Sequence, residues 1–91
     1  MQTIVKVAEI HFFLQQIMET VHVESYAGSR AEEYPRRFYI HGRQVDIAAI
    51  EKRWLTPGRR CFKVLGDDGD KYVLEYNIDN DTWNLLTITR P

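Results

Sequence analysis

One stretch of the chain, residues 36–54, restricts the possible fold more than any other. Apolar and polar residues alternate on both sides of the dipeptide His41-Gly42, which is typical of two strands that each bury one face. A two-residue turn needs positive φ at both centres, a conformation that Gly accepts freely and His tolerates better than most residues. The stretch therefore predicts a β-hairpin, whose alternating apolar residues are Phe38, Ile40, Val45 and Ile47.

The second arm of this hairpin changes phase after Ile47, because Ile50 and Trp54 fall on the other parity. An extra residue at Ala48-Ala49 would form a β-bulge and switch the buried face. The alternative is a short helix with Ile47, Ile50 and Trp54 on one side. We expect a bent strand over residues 44–54, because a small sheet needs such a bend to curl over its own core.

The rest of the chain reads as a meander. Val21–Tyr26 alternates like a strand, and turn residues at 56–58, 66–69 and 79–81 separate three further strand-like segments at 61–65, 71–76 and 82–89. These patterns predict a mainly β fold, a small, strongly bent antiparallel meander or half-barrel of the SH3-like or roll type with five or six strands. The predicted core comprises Val23, Phe38, Ile40, Val45, Ile47, Ile50, Trp54, Phe62, Val64, Leu74, Trp83 and Leu85.

The N-terminal segment has a different period. Its apolar residues recur every three or four positions, which predicts one N-terminal helix. We therefore divide the chain into a helix or extension at residues 1–20 and a single small β domain at residues 21–91. The helix would pack on the sheet, form a homodimer seam, or belong to an extension before Met18. The residues of that seam would be Val7, Ile10, Leu14 and Ile17.

Size and composition describe an ordinary small domain. The chain has 91 residues and one cysteine, which leaves no internal disulfide framework. Its apolar N-terminal segment is interrupted by charged and polar residues, so no run of about 20 apolar residues is present. We expect a cytoplasmic protein that does not interact with membranes.

The chain contains the short motifs Pro35-Arg36-Arg37-Phe38, Gly42-Arg43, Arg53-Trp54, Phe62-Lys63-Val64, Asp67-Asp68-Gly69 and Trp83. These motifs resemble those of a family of small bacterial cytoplasmic proteins of no assigned function. The resemblance covers residues 21–88 and leaves out about the first 17. It implies a shared fold, but no catalytic residues, because none are established for the family.

Candidate chemistry is sparse. The acidic turns at 67–70 and 79–81 would place carboxylates together if both lay at one end of the meander, but the offsets of an EF-hand are absent. Three separated histidines and the single Cys61 do not match a structural zinc site. No nucleophile or phosphate-loop motif is present. We therefore expect no metal, no cofactor and no enzymatic activity.

Charge is distributed unevenly along the chain. Residues 30–63 hold nine basic against four acidic residues, a net +5, and residues 64–91 hold two against six, a net −4. This lopsidedness favours an interaction or adaptor domain with an unknown protein partner or with itself. The alternative is a module for single-stranded nucleic acid, because arginines alternate with aromatic residues in the basic part. The candidate binding residues are Arg36, Arg37, Tyr39, Arg43, Arg53, Arg59 and Arg60.

Overall fold

A computed structural model describes residues 13–26 and 34–90. The regular secondary structure in these ranges consists of six β-strands and no helix. Each strand pairs antiparallel with the next along the chain, and the first also pairs with the last, so six strands close a barrel. The mainly β, antiparallel prediction is confirmed, and the sheet is closed rather than half open. The strands are β1 (Phe13–Tyr26), β2 (Tyr34–Ile40), β3 (Arg43–Thr56), β4 (Arg59–Gly66), β5 (Lys71–Asn77) and β6 (Thr82–Arg90).

The predicted N-terminal helix is wrong for residues 13–20, because they belong to strand β1. Residues 1–12, with the predicted seam residues Val7 and Ile10, lie outside the described residues. Leu14 pairs with Thr89 of β6, and Ile17 packs against the barrel core, so neither lies on a helical seam. Strand β1 also crosses the domain boundary predicted at residue 20.

Strand β1 contains a bulge, and its apolar residues also resemble those of a helix in sequence. The pairing with β6 shifts between Gln16 and Glu19, and Met18 has a positive φ of 58°. The core residues Ile17 and Val21 lie four positions apart, an even spacing that two-residue alternation also gives. The spacing is that of one helical turn, although the backbone is extended.

The central hairpin is confirmed. His41 and Gly42 have φ values of 49° and 77°, and Phe38 lies directly opposite Val45 across the turn. Strand β3 is extended throughout, and its register against β4 shifts between Ile47 and Ala49, as the predicted bulge requires. The bent-strand prediction for residues 44–54 is therefore correct.

A second bulge in β3 was not predicted, and it reverses the position of Trp54. Ile50 pairs with Val64, and after a further register shift Arg53 pairs with the core residue Phe62. Trp54 pairs instead with Cys61, on the opposite face of the sheet. The prediction that Trp54 belongs to the core is wrong, because Glu51 adds one residue and moves the side chains after it to the other face.

The remaining core predictions are largely confirmed. Eight of the twelve predicted residues are buried, and Val23, Ile47 and Ile50 pack against them with partial exposure. Tyr72 is fully buried and sets its ring at 76° to that of Phe38, with centroids 4.8 Å apart, an edge-to-face arrangement that stabilises the core. The buried hydrophobic residues that the sequence did not identify are Val21, Cys61, Tyr72 and Ile88.

Candidate interaction site

The seven predicted binding residues do not form one surface. Arg37 lies between Glu24 and Asp46, with N···O distances of 3.3 and 3.1 Å. The Tyr39 hydroxyl donates a 2.8 Å hydrogen bond to Glu24, and this bond, with burial, raises the pKa of Tyr39. Both residues are therefore held by acids of neighbouring strands.

Arg43 lies at the end of the barrel that holds the β4–β5 turn. Its guanidinium group contacts Asp68 at 2.9 Å and the Tyr72 hydroxyl at 3.4 Å. The hydrogen bond to Asp68, followed by that to Tyr72, raises the pKa of Arg43. This arginine connects the central hairpin to the turn that follows β4, which is a structural role.

Arg59 and Arg60 lie at the tip of the β3–β4 hairpin and alternate between its two faces. Arg59 forms a 3.4 Å ion pair with Glu75 of β5. Arg60 is half-buried and pairs with Leu55 and Tyr76 across the two neighbouring strands. The tip also exposes apolar surface, because the side chain of Leu55 is 76% exposed.

Arg36 and Arg53 are the two predicted residues that share one site. Strands β2 and β3 pair only as far as Arg37 and Asp46, and then separate. The gap is a cleft of about 470 Å³, which we call the β2–β3 cleft, lined by residues 34–36, residues 47–50 and Arg53. The Arg53 guanidinium carbon lies 5.7 Å from the centroid of the Tyr34 ring across this cleft, within cation–π range.

The cleft leaves one edge of β3 open. Over residues 47–56, β3 pairs with β4, and no other strand of the described part of the chain pairs with this segment. We call its side facing away from β4 the β3 edge. Exposed Ala48 and Ala49 lie on this segment, and their small side chains leave the backbone accessible. An unpaired strand edge presents a row of N–H and C=O groups that can pair with another strand.

The Ala48-Ala49 pair is the one sequence signal for this cleft, although by itself it predicts only a bend in β3. The bulge at Ala48-Ala49 turns β3 away from β2, so the residues that curve the sheet also line the cleft. Tyr34 was not among the predicted binding residues. It lies next to Pro35 at the start of β2, opposite the bulge, a placement that sequence spacing does not reveal.

The other candidate chemistry does not converge. Within residues 13–26 and 34–90, no group of three or more His, Cys, Asp or Glu side chains is arranged to hold a metal ion. The acidic turns at 67–70 and 79–81 follow consecutive strands, so they lie at opposite ends of the barrel and do not form a joint site. Cys61 is buried, and burial, with the negative charge of Glu75, raises the pKa of its thiol despite a hydrogen bond from Thr56 and the charge of Arg59.

Comparison with known proteins gives a uniform result. No family model, curated protein or solved structure matches this chain. The resemblance to a bacterial family therefore stays a prediction. Among the described residues, no helix is long and apolar enough to span a membrane.

Proposed function

We propose that this domain is an interaction module that binds an extended, acidic segment of a partner protein at the β2–β3 cleft. The observation that carries the proposal is the β3 edge, a segment of ten residues, 47–56, paired on one side only in the described structure. Strand addition to such an edge uses main-chain hydrogen bonds for affinity and side-chain positions for specificity.

Charge complementarity selects the partner. The cleft lining includes Arg36 and Arg53 and no acidic residue. Arg53 also shares its face of the sheet with the exposed Leu55, two residues further along β3. An added strand would place alternate side chains beside these two residues. We infer a partner segment in which an acidic residue pairs with Arg53 and an apolar residue two positions away, on the same face of the added strand, covers Leu55.

The bulges limit how much of the edge can be used. Two register shifts, between Ile47 and Ala49 and between Ile50 and Lys52, interrupt the first half of the β3 edge. From Lys52 to Thr56 the pairing of β3 with β4 is regular. Bulges and charged side chains keep an open edge from pairing indiscriminately. A short segment from one class of partner fits this edge better than continuous pairing between copies of the chain.

A peptide-binding measurement tests the proposal. A fluorescently labelled peptide with a Glu-Thr-Val-Thr repeat, which presents Glu and Val on one face, should bind saturably by anisotropy, and a peptide of equal length with Lys in place of Glu should not. Arg53→Glu should weaken binding roughly tenfold, because it places a like charge beside the peptide. Lys52→Glu is the matched control, since the adjacent residue points to the opposite face of β3 and should change affinity less than about twofold.

Hydrogen exchange locates the bound peptide. Amides of residues 47–56 should gain protection when the acidic peptide is added, and those of β5, which lies between β4 and β6, should not. Equal binding of both peptides, or binding without protection at the β3 edge, would refute the proposal. So would concentration-dependent protection of the same amides in the protein alone, with a dimer in light scattering, because the occupant would then be a second copy.

The nucleic-acid alternative, as predicted from the arginines, is less well supported. Three of those arginines, Arg37, Arg43 and Arg59, form ion pairs with carboxylates of the same domain. Releasing them toward phosphates would cost these internal contacts. The six arginines are also divided between several places, so they do not track one path for a nucleic-acid backbone.

A further inference from the structure

The outer face of the β3–β4 hairpin carries a second arrangement that the proposed function does not use. Lys52 and Lys63 lie directly opposite each other on the two strands, and Trp54 follows Lys52 on the same face. This is the outside of the barrel, because Arg53 pairs with the core residue Phe62. The three residues, which we call the lysine–tryptophan face, include none of the seven predicted binding residues.

The opposed lysines are unfavourable for the folded protein. Like charges directly across two strands repel each other, because their side chains are only about 5 Å apart at Cβ. The two acids nearest in the register, Glu51 and Glu75, form ion pairs with other cations, Lys71 and Arg59. The repulsion between the lysines is therefore not relieved by these two acids. An anion placed between the two ammonium groups would relieve it.

Trp54 adds an aromatic ring at the surface beside these lysines. The second bulge of β3 turns it outward, where it is half-buried, and the Lys52 ammonium lies 5.6 Å from the centroid of its ring. An indole kept at the surface beside cations offers a flat face for stacking next to a site for a negative charge. Base stacking on such side chains, with basic groups along the backbone, is how single-stranded nucleic acid is held.

We propose that the lysine–tryptophan face binds single-stranded nucleic acid, with a base stacked on Trp54 and backbone phosphates between Lys52 and Lys63. The proposal goes beyond the peptide site, which lies on the inner side and open edge of the same strand. Adjacent positions of β3 therefore serve different ligands, with Lys52 and Trp54 on one face and Arg53 on the other.

Tryptophan fluorescence of the full chain tests the proposal. Twelve-residue oligothymidylate and oligouridylate should quench the emission saturably at low salt and bind more weakly at physiological salt. Trp54 should carry the change, because Trp83 is only 8% exposed. Trp54→Phe should remove the quenching and reduce affinity several-fold, measured with a labelled oligonucleotide. Absence of quenching by both oligonucleotides at low salt would overturn the proposal.

Charge variants separate a specific face from general attraction. Lys52→Glu and Lys63→Glu should each weaken oligonucleotide binding by about tenfold or more. Arg53→Glu changes the charge equally but on the opposite face, and should stay within about twofold of the parent. Equal losses in all three variants would refute the assignment. Binding of thymidine monophosphate or oligoglutamate as tight as that of the oligonucleotide would also refute it, since a strand would not then be recognised.

A stability readout distinguishes this role from a structural one. Lys52→Glu converts a repulsive cross-strand pair into an attractive one with Lys63. The variant should therefore melt at the same or a higher temperature than the parent while losing oligonucleotide affinity. If Lys52→Glu lowered both the melting temperature and the affinity, Lys52 would be supporting the fold and the proposal would fail.

Discussion

Arg43 and Asp68 are 25 residues apart in the chain, yet their side chains meet in a 2.9 Å ion pair. Asp68 Oδ2 also accepts a hydrogen bond from the buried Tyr72, and Asp68 Oδ1 accepts one from the backbone N–H of Asp70. One carboxylate therefore joins the central hairpin, strand β5 and the β4–β5 turn. This contact closes one end of the barrel.

Replacing Asp68 tests that connection. Asp68→Ala removes the carboxylate that accepts hydrogen bonds from the charged Arg43 and the buried Tyr72. Hydrogen bonds to charged groups contribute about 1.5–3 kcal/mol each. We expect the free energy of unfolding to fall by about 2–3 kcal/mol in urea titrations. Asp79→Ala, an exposed acid of the β5–β6 turn, is the control and should change it by less than about 0.5 kcal/mol. Equal stability of both variants would contradict the structural role of Asp68.

The Asp68 carboxylate should make the stability of the fold sensitive to acid. Burial raises the pKa of Asp68, but the hydrogen bonds from Tyr72 and Arg43 outweigh it and hold the pKa below its usual value. A lowered folded-state pKa gives stability that is present above the unfolded pKa and is lost as the pH falls toward the folded one. The stability difference between the parent and Asp68→Asn should therefore shrink below about pH 4. A difference that is independent of pH would argue against a charged Asp68.

Tyr72 should limit the stability of the fold at high pH. Burial, and next the hydrogen bond to Asp68, raise the pKa of Tyr72 from 10.0 to about 12. The folded state then holds the phenol proton more tightly than the unfolded state, so stability should be complete below pH 10 and fall as the pH rises toward 12. Ultraviolet titration of tyrosinate should show a late-ionising component that is lost in Tyr72→Phe. An unchanged titration curve in that variant would contradict the assignment.

The two tryptophans should differ in their effect on stability. Trp83 is 8% exposed and contacts Phe62 and Tyr76 in the core, with ring centroids 5.7 and 4.9 Å away. Trp83→Ala should cost about 3–5 kcal/mol through the cavity it leaves. Trp54→Ala should cost about 1 kcal/mol, as for a typical single substitution. Urea titration measures both, with Trp83→Phe available if Trp83→Ala does not fold. A larger cost at Trp54 would place its ring in the core.

Removal of residues 1–17 tests whether the first residues of β1 stabilise the barrel by pairing with β6. A chain that starts at Met18 lacks residues 13–16, which pair with residues 87–90 of β6. The loss of these backbone hydrogen bonds should lower the free energy of unfolding by about 2–4 kcal/mol. The exposed edge of β6 should also promote self-association in light scattering. An unfolding midpoint equal to that of the full chain would show that the barrel closes without this part of β1.

The predictable part of the fold was local. The His41-Gly42 turn follows from backbone sterics, and the strands β2, β4, β5 and β6 follow from alternation between turn residues. The two misread strands, β1 and β3, each contain a bulge. In β1 the four-residue spacing of Ile17 and Val21 resembles one helical turn, and in β3 the second bulge at Glu51 reversed the side of Trp54.

The candidate sites were less predictable than the fold. The sequence identified Arg36 and Arg53, but not their meeting with Tyr34 across a cleft. It also drew attention to arginines that the fold neutralises, because Glu24 and Asp46 lie beside Arg37 only after three strands have paired. Side-chain charges can be counted along a chain, whereas ion pairs depend on register.

By itself, the sequence determined the antiparallel strands β2, β4, β5 and β6 and the tight turns beside them, because turn chemistry and alternation act over a few residues. Only the tertiary structure decided that β1 closes on β6, that β3 separates from β2, and that Lys52 and Lys63 oppose each other. These features depend on register between distant strands. A one-residue bulge moves every later side chain to the other face, and packing of the whole barrel selects where that residue is accommodated.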